Sequence, residues 1–205
     1  LETDRAEEVL EETDMAFLFA QKYHSAMKNV GPVRKEMGER TIFNILGPLT
    51  NPANASRQLL GVYDKELVEK LAEVLANLGV TRGMSVCGGD GLDEITVTGP
   101  TYCCEIKDGE LTSYEIIPEQ FGLSTYPLAE LVGGTPEENA QITKDILSGT
   151  LKGAKRDVVL MNAGIGIYLG SENLTMEEGI KKAEELINSG KAYEKMEEFV
   201  KATQQ

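Results

Sequence analysis

Three carboxylates fall within five residues of GGDGLDE, Gly88 to Glu94: Asp90, Asp93 and Glu94, framed by Gly88, Gly89 and Gly91. Such a loop suits Mg²⁺, which keeps most of its waters and takes one or two carboxylates together with phosphate oxygens of a substrate. A closed zinc site would need His and Cys at ligand spacing, and an EF-hand would need alternating ligands ending in Glu, and neither pattern occurs. The same residues would equally make an acidic turn between strands. A second candidate is the stretch from His24 to Pro52, which holds the single histidine and three of the seven prolines, Pro32, Pro48 and Pro52. Fixed φ at the prolines and free φ at Gly31 and Gly47 would aim His24, Lys28 and Arg34 at a small anion. A planar guanidinium such as that of Arg34 suits bidentate recognition of a carboxylate or phosphate. Arg34 next to Lys35 and Glu36 also reads as a solvated helix residue, and His24 as a packing or capping group. Asn139 and Asn162 lie in apolar surroundings and are expected to make structural hydrogen bonds.

These residues need elements to hold them. Gln58–Tyr63 reads as a strand; Asp64 then caps a helix with Leu67, Val68, Leu71, Val74, Leu75 and Leu78 at helical spacing, ended by Gly79. A strand at Met84–Cys87 follows, and strand, helix, strand with short joints is the βαβ unit of a parallel sheet. The acidic loop then opens from a strand's C-terminal end, where α/β sheets bind ligands. Thr101–Ile106 and Leu111–Ile116 flank a Lys107-Asp108-Gly109-Glu110 turn, which predicts a hairpin. Upstream, residues 5–12 are helical in pattern, Met15–Ala20 reads as a buried strand, and short helices are expected from Pro32 to Met37, closed by Gly38, and from Thr41 to Leu46, closed by Gly47. Residues 118–134 are irregular. Thr135 with Glu138 forms a capping box opening a helix through Leu147, and Thr175 with Glu178 forms another. Arg156–Leu169 is apolar nearly throughout and is read as a helix on its length. The chain ends in two further helices, the second from Lys191 to Ala202.

Composition narrows the classes. In 205 residues, 41% hydrophobic and 26% charged content is ordinary for a globular domain, and a formal charge of -14 disfavours a nucleic-acid or anionic-membrane surface. No apolar run reaches the ~20 residues of a membrane span. Cys87, Cys103 and Cys104 fit neither a disulfide framework nor a zinc site, which points to small buried hydrophobes in a reduced, cytoplasmic compartment.

Taken together, FLFAQKYHSAMKNVGPVRKEMGERTIFNILGPLTNPA, GGDGLDE, GGTPEENA and VVLMNAGIGIYLG resemble the signatures of the anthranilate phosphoribosyltransferase family. The resemblance implies the C-terminal portion of a nucleoside phosphorylase/phosphoribosyltransferase-type α/β domain, a mostly parallel sheet flanked by helices, with residues 1–205 as one domain. It implies that Arg34 and His24 line the anthranilate site, that Pro48 walls it with Met27 nearby, and that Asp93 and Glu94 hold Mg²⁺ bound to the pyrophosphate of phosphoribosyl pyrophosphate. Ser25 and Cys87 stand where the family usually has proline and often has histidine. No segment here is similar to the family's Gly-rich and basic phosphoribosyl-pyrophosphate loops or its N-terminal helical domain. The sequence is therefore expected to be roughly the C-terminal three-fifths of a homodimeric cytoplasmic enzyme, inactive by itself, with residues 27–55 packing on the absent helical domain. A pyrimidine-nucleoside phosphorylase of the same architecture and a non-catalytic homologue are the alternatives.

Overall fold

The computed structural model describes residues 1–23, 36–38 and 43–204. In chain order its elements are α1 (Thr3–Thr13), α2 (Ala20–Tyr23), α3 (Phe43–Leu49), β1 (Arg57–Gly61), α4 (Lys65–Asn77), β2 (Arg82–Gly88), β3 (Thr101–Lys107), β4 (Glu110–Ile116), α5 (Pro136–Leu147), α6 (Ala154–Gly170), α7 (Met176–Asn188) and α8 (Lys191–Thr203). Two compact units result: residues Leu1–Asn54 with Tyr193–Gln205, and residues Ala55–Ala192.

The larger unit is built on the predicted βαβ. Asp64 is the N-cap of α4, its carboxylate accepting from the Glu66 amide at 2.9 Å. One face of the helix then buries Val68, Leu71, Ala72 and Leu75, with Val68, Leu71 and Leu75 each contributing about 1.5–3 kcal/mol by leaving water. β2 runs parallel to β1, with Leu59 opposite Met84, and is buried at all seven of its residues. Alternation along β2 turns Met84 and Val86 to one face, where they join Met161, Ile165, Tyr168 and Leu169 of α6 in the main core.

Beyond β2 the sheet changes direction. Asp108 (φ 52°) and Gly109 (φ 82°) take the two left-handed positions that a two-residue hairpin turn demands, which Asp-Gly tolerates better than most pairs. The strand order is β1-β2-β3-β4, with β2–β3 and β3–β4 antiparallel. The α/β class is as expected, but the sheet is mixed rather than mostly parallel, because the hairpin supplies two of the four strands found among the described residues. Two single 3₁₀ turns, Pro118–Phe121 and Leu128–Glu130, are the only regular structure between β4 and α5.

The helix reading of Arg156–Leu169 holds: α6 is apolar on nearly every side because sheet and helix both cover it. α7 crosses it at glycine. A Cβ on Gly164 would lie 2.4 Å from the Ile180 Cα, and one on Gly179 would lie 2.3 Å from the Gly164 carbonyl oxygen. A second core of Ile146, Leu160, Ile180, Ala183 and Ile187 seals this crossing. Both capping boxes form: Thr135 accepts from the Glu138 amide and Thr175 from the Glu178 amide, with each glutamate returning to the threonine amide. Buried Arg156 pairs with Glu184 at 2.9 Å and also reaches Asn188.

In the smaller unit, α1 buries Ala6, Val9 and Thr13. Arg5 donates to the Ala202 carbonyl at 2.7 Å and Lys195 to that of Thr13 at 3.2 Å, tying α1 to the last helix. Two expectations need correction. Met15–Ala20 is not a buried strand: residues 15–19 are irregular, Phe17 is 67% exposed, and Ala20 begins α2. A strand requires a ladder partner, and among the described residues none borders this run. Gly47 does not close the helix before it. α3 continues through Gly47 and Pro48 to Leu49, because Gly47 keeps a negative φ, and the chain turns off at Thr50, whose amide and hydroxyl both donate to the Leu46 carbonyl. Thr41, Ile42 and residues 32–35 lie outside the described residues; Glu36 and Met37 are helical and Gly38 takes φ +64°.

Candidate functional site

The acidic loop leaves the C-terminal end of β2, beside its parallel neighbour β1. Its glycines answer to close approaches. A Cβ on Gly88 would come 2.3 Å from Asp90 Oδ1, one on Gly89 would come 2.9 Å from the Pro100 oxygen, and Gly91 turns at φ +85°. The Gly88 amide donates to the Leu92 carbonyl at 2.9 Å and that of Gly89 to Pro100 at 2.7 Å, closing the base of the loop.

The three carboxylates have different surroundings. Asp90 turns inward: Oδ1 accepts from the Leu92 amide at 3.0 Å, and Oδ2 accepts from the Thr96 and Thr98 hydroxyls at 2.6 Å each. Burial by itself would raise this carboxyl, but the two hydroxyls and the amide hold it below the ordinary carboxylate value. Asp93 and Glu94 are exposed at the tip. The Glu94 carboxyl is raised, first by its partial desolvation and then by Asp93 and Asp90, so like charges crowd the tip. A bound cation would relieve that crowding.

The returning limb is anchored. Ile95, Thr96 and Val97 are fully buried. Asn162, on α6, takes both backbone groups of Ile95: its Oδ1 accepts from the Ile95 amide at 3.1 Å and its Nδ2 donates to the Ile95 carbonyl at 2.7 Å. Tyr126 adds a bond from its amide to the Val97 carbonyl at 2.9 Å, while its hydroxyl donates to Asp157 at 2.8 Å. On the other side the Asp93 backbone rests on Gly61 at the end of β1, where a Cβ would fall 1.6 Å from the Asp93 oxygen.

Among the described residues no group of three His, Cys, Asp or Glu side chains converges as a metal cage. Two neighbouring carboxylates instead fit a hard cation that takes its remaining ligands from water and phosphate. Pro48 is exposed within α3, in the smaller unit. His24, Met27 and Arg34 lie outside the described residues. Asn139 pairs with both backbone groups of Gly134, holding the GGTPEENA loop on its own helix. The cysteines are buried and free, as expected. Sequence reasoning did not find Thr96 and Thr98, two residues apart and close after the loop; their spacing on the returning limb was the available signal.

The glycosyl transferase family, a/b domain, matches residues 1–193. The chain belongs to this family. Within it, the chain is 52% identical over 203 residues to the anthranilate phosphoribosyltransferase of Endomicrobium trichonymphae, covering 99% of this chain and 60% of that protein. It is 50% identical to the enzyme of that name from Methanobrevibacter smithii, again over 99% of this chain and 60% of the relative. Among solved structures, anthranilate phosphoribosyltransferase from Thermus thermophilus superposes with a TM-score of 0.90 at 42% identity, covering 98% of this chain and 59% of that one. The Saccharomyces cerevisiae enzyme in complex with PRPP and Mg gives 0.89 at 33% identity, covering 98% and 58%. This glycosyl transferase chain thus spans about three-fifths of the length of the relatives it matches.

Proposed function

We propose that the protein carrying this chain transfers the phosphoribosyl group of phosphoribosyl pyrophosphate to anthranilate, giving N-(5-phosphoribosyl)anthranilate and pyrophosphate in tryptophan biosynthesis. The observation that carries this reading is the rigidly anchored loop that leaves Asp93 and Glu94 exposed at the C-terminal ends of β1 and β2, in a chain 52% identical to an enzyme of that name. Supporting it, the yeast neighbour is a complex with PRPP and Mg, and another yeast structure is a complex with 4-fluoroanthranilate.

In this reaction the aryl amine displaces pyrophosphate at C1 of the ribose. Positive charge develops on the sugar and negative charge on the leaving group, while the amine sheds its proton after bonding, so a strong base is not required. Asp93 and Glu94 would hold Mg²⁺, which when bound neutralises charge on the pyrophosphate oxygens. Arg34 and His24 would orient anthranilate, Arg34 at its carboxylate, with Pro48 walling the pocket and Met27 nearby. Residues 27–55 would pack on a helical domain supplied by the rest of the protein, which would act as a cytoplasmic homodimer; the 205 residues alone would be inactive.

The test is loss of anthranilate fluorescence with phosphoribosyl pyrophosphate and Mg²⁺, using the protein at the full length of its relatives. Arg34→Ala should weaken anthranilate binding by about 1–3 kcal/mol, seen as a raised KM. Phosphorolysis of thymidine without turnover of anthranilate would replace this reading with the nucleoside phosphorylase one.

A further inference from the structure

We propose that Asp90 and Asn162 are positioning residues for the Asp93–Glu94 pair, Asp90 acting as a strut inside the loop and Asn162 as a clamp from α6. This rests on the reading of the loop as a Mg²⁺ site.

By sequence Asp90 is a third candidate ligand, yet its oxygens are engaged by the Leu92 amide and the Thr96 and Thr98 hydroxyls. The Thr98 amide in turn donates to Thr96 Oγ1 at 3.0 Å, so the strut ties the outgoing limb of the loop to the returning one. Gly88 leaves room for it, since any Cβ there would strike Asp90 Oδ1. Asn162 acts on the residue directly after Glu94. It spends its Oδ1 and one Nδ2 hydrogen on Ile95, and the other Nδ2 hydrogen on the Val158 carbonyl at 2.9 Å within its own helix. With Leu92 held on one side and Ile95 on the other, Asp93 and Glu94 are the exposed carboxylates of the loop, and Asp90 is half-buried. Mg²⁺ demands near-ideal octahedral geometry, so the placement of two adjacent carboxylates governs how well they bind it.

The discriminating comparison is between two replacements of Asp90. Asn has the same shape: its oxygen can accept from Leu92 and its NH₂ can donate to the two threonine oxygens once their hydroxyls rotate. Ala removes the strut. A ligand role would make both fail; a positioning role spares Asn.

The 205-residue chain is titrated with Mn²⁺ alone, following paramagnetic broadening of the Asp93 and Glu94 amide resonances by NMR, and amide hydrogen exchange of Leu92–Ile95 is measured without metal. Asp90→Ala and Asn162→Ala should speed exchange across the loop and raise the Mn²⁺ concentration for half-broadening about tenfold or more, the scale seen when residues supporting metal ligands are removed. Asp90→Asn should stay within about threefold of the parent chain on the same scale. Asp93→Asn should lose the broadening while its loop exchange stays slow. Broadening lost in Asp90→Asn as in Asp93→Asn, or a Mn²⁺ midpoint unmoved in both Asp90→Ala and Asn162→Ala, overturns the positioning role. If the parent chain shows no loop broadening, or Asp93→Asn broadens like the parent, the metal reading itself falls and the positioning claim with it.

Discussion

Replacing Gly61 by Ala probes the seat on which the acidic loop rests. Gly61 sits in β1 at a negative φ, so alanine is conformationally acceptable there, and fewer unfolded conformations would favour it by about 0.4–1 kcal/mol. Its Cβ, however, would lie 1.6 Å from the Asp93 oxygen and 2.5 Å from the Asp93 carbonyl carbon. To reach even a 3.0 Å contact the oxygen must retreat by about 1.4 Å, which is overpacking of the kind that costs about 1–3 kcal/mol. The loop has little slack. Leu92 is bonded to Gly88 and Ile95 to Asn162, so retreat lengthens at least one of these bonds at about 0.5–1.5 kcal/mol. The net expectation is destabilisation of about 1–3 kcal/mol, read as a lower urea midpoint at unchanged slope, with faster amide exchange at Glu94 and Ile95. A Gly61→Ala chain as stable as the parent, with loop amides equally protected, would refute the argument that β1 seats the loop.

Other predictions follow from the same geometry. In α6, Gly166→Ala has open space and should stabilise by up to about 1 kcal/mol, whereas Gly164→Ala, two residues away, drives a Cβ into Ile180 and should destabilise by at least about 1 kcal/mol in urea melts. Thr175→Ala should cost about 1 kcal/mol through the lost cap of α7, measurable in the same way. Burial, followed by Glu105, Cys104 and Glu115, pushes the Cys103 thiol up to about 12 from an ordinary value near 9. The native state therefore keeps a proton that the unfolded chain loses. Its contribution is whole below about pH 9 and is lost as pH rises towards 12, so Cys103→Ala should show a shallower fall of urea midpoint between about pH 9 and 10 than the parent.

What the sequence disclosed was mostly local. Asp64, Thr135 and Thr175 cap helices through contacts within three residues, and Asp108-Gly109 carries its turn in its own dihedral preferences, so each was readable in place. Met15–Ala20 misled because an apolar run does not state whether a neighbouring strand exists to pair with it. Gly47 misled because glycine permits a left-handed φ without requiring one. The acidic loop was recognisable as a site, and the family resemblance singled out Asp93 and Glu94, but residue type and spacing by themselves show three carboxylates of equal standing. What separates Asp90 from Asp93 and Glu94 is hydroxyls on the returning limb, the Gly61 backbone about thirty residues upstream, and Asn162 on a helix 67 residues beyond Ile95. Asn162 was visible only as a polar residue in need of partners.

Asp93 and Glu94 are proposed to carry the metal of a pyrophosphate-releasing transfer. A crystal of the full-length protein grown with Mn²⁺ and pyrophosphate, examined for anomalous scattering, tests this assignment. The expected result is a peak at the Asp93 and Glu94 carboxylates, bound directly or through one water and shared with pyrophosphate oxygens. A peak on Asp90, or one away from this loop while pyrophosphate is bound, would contradict it.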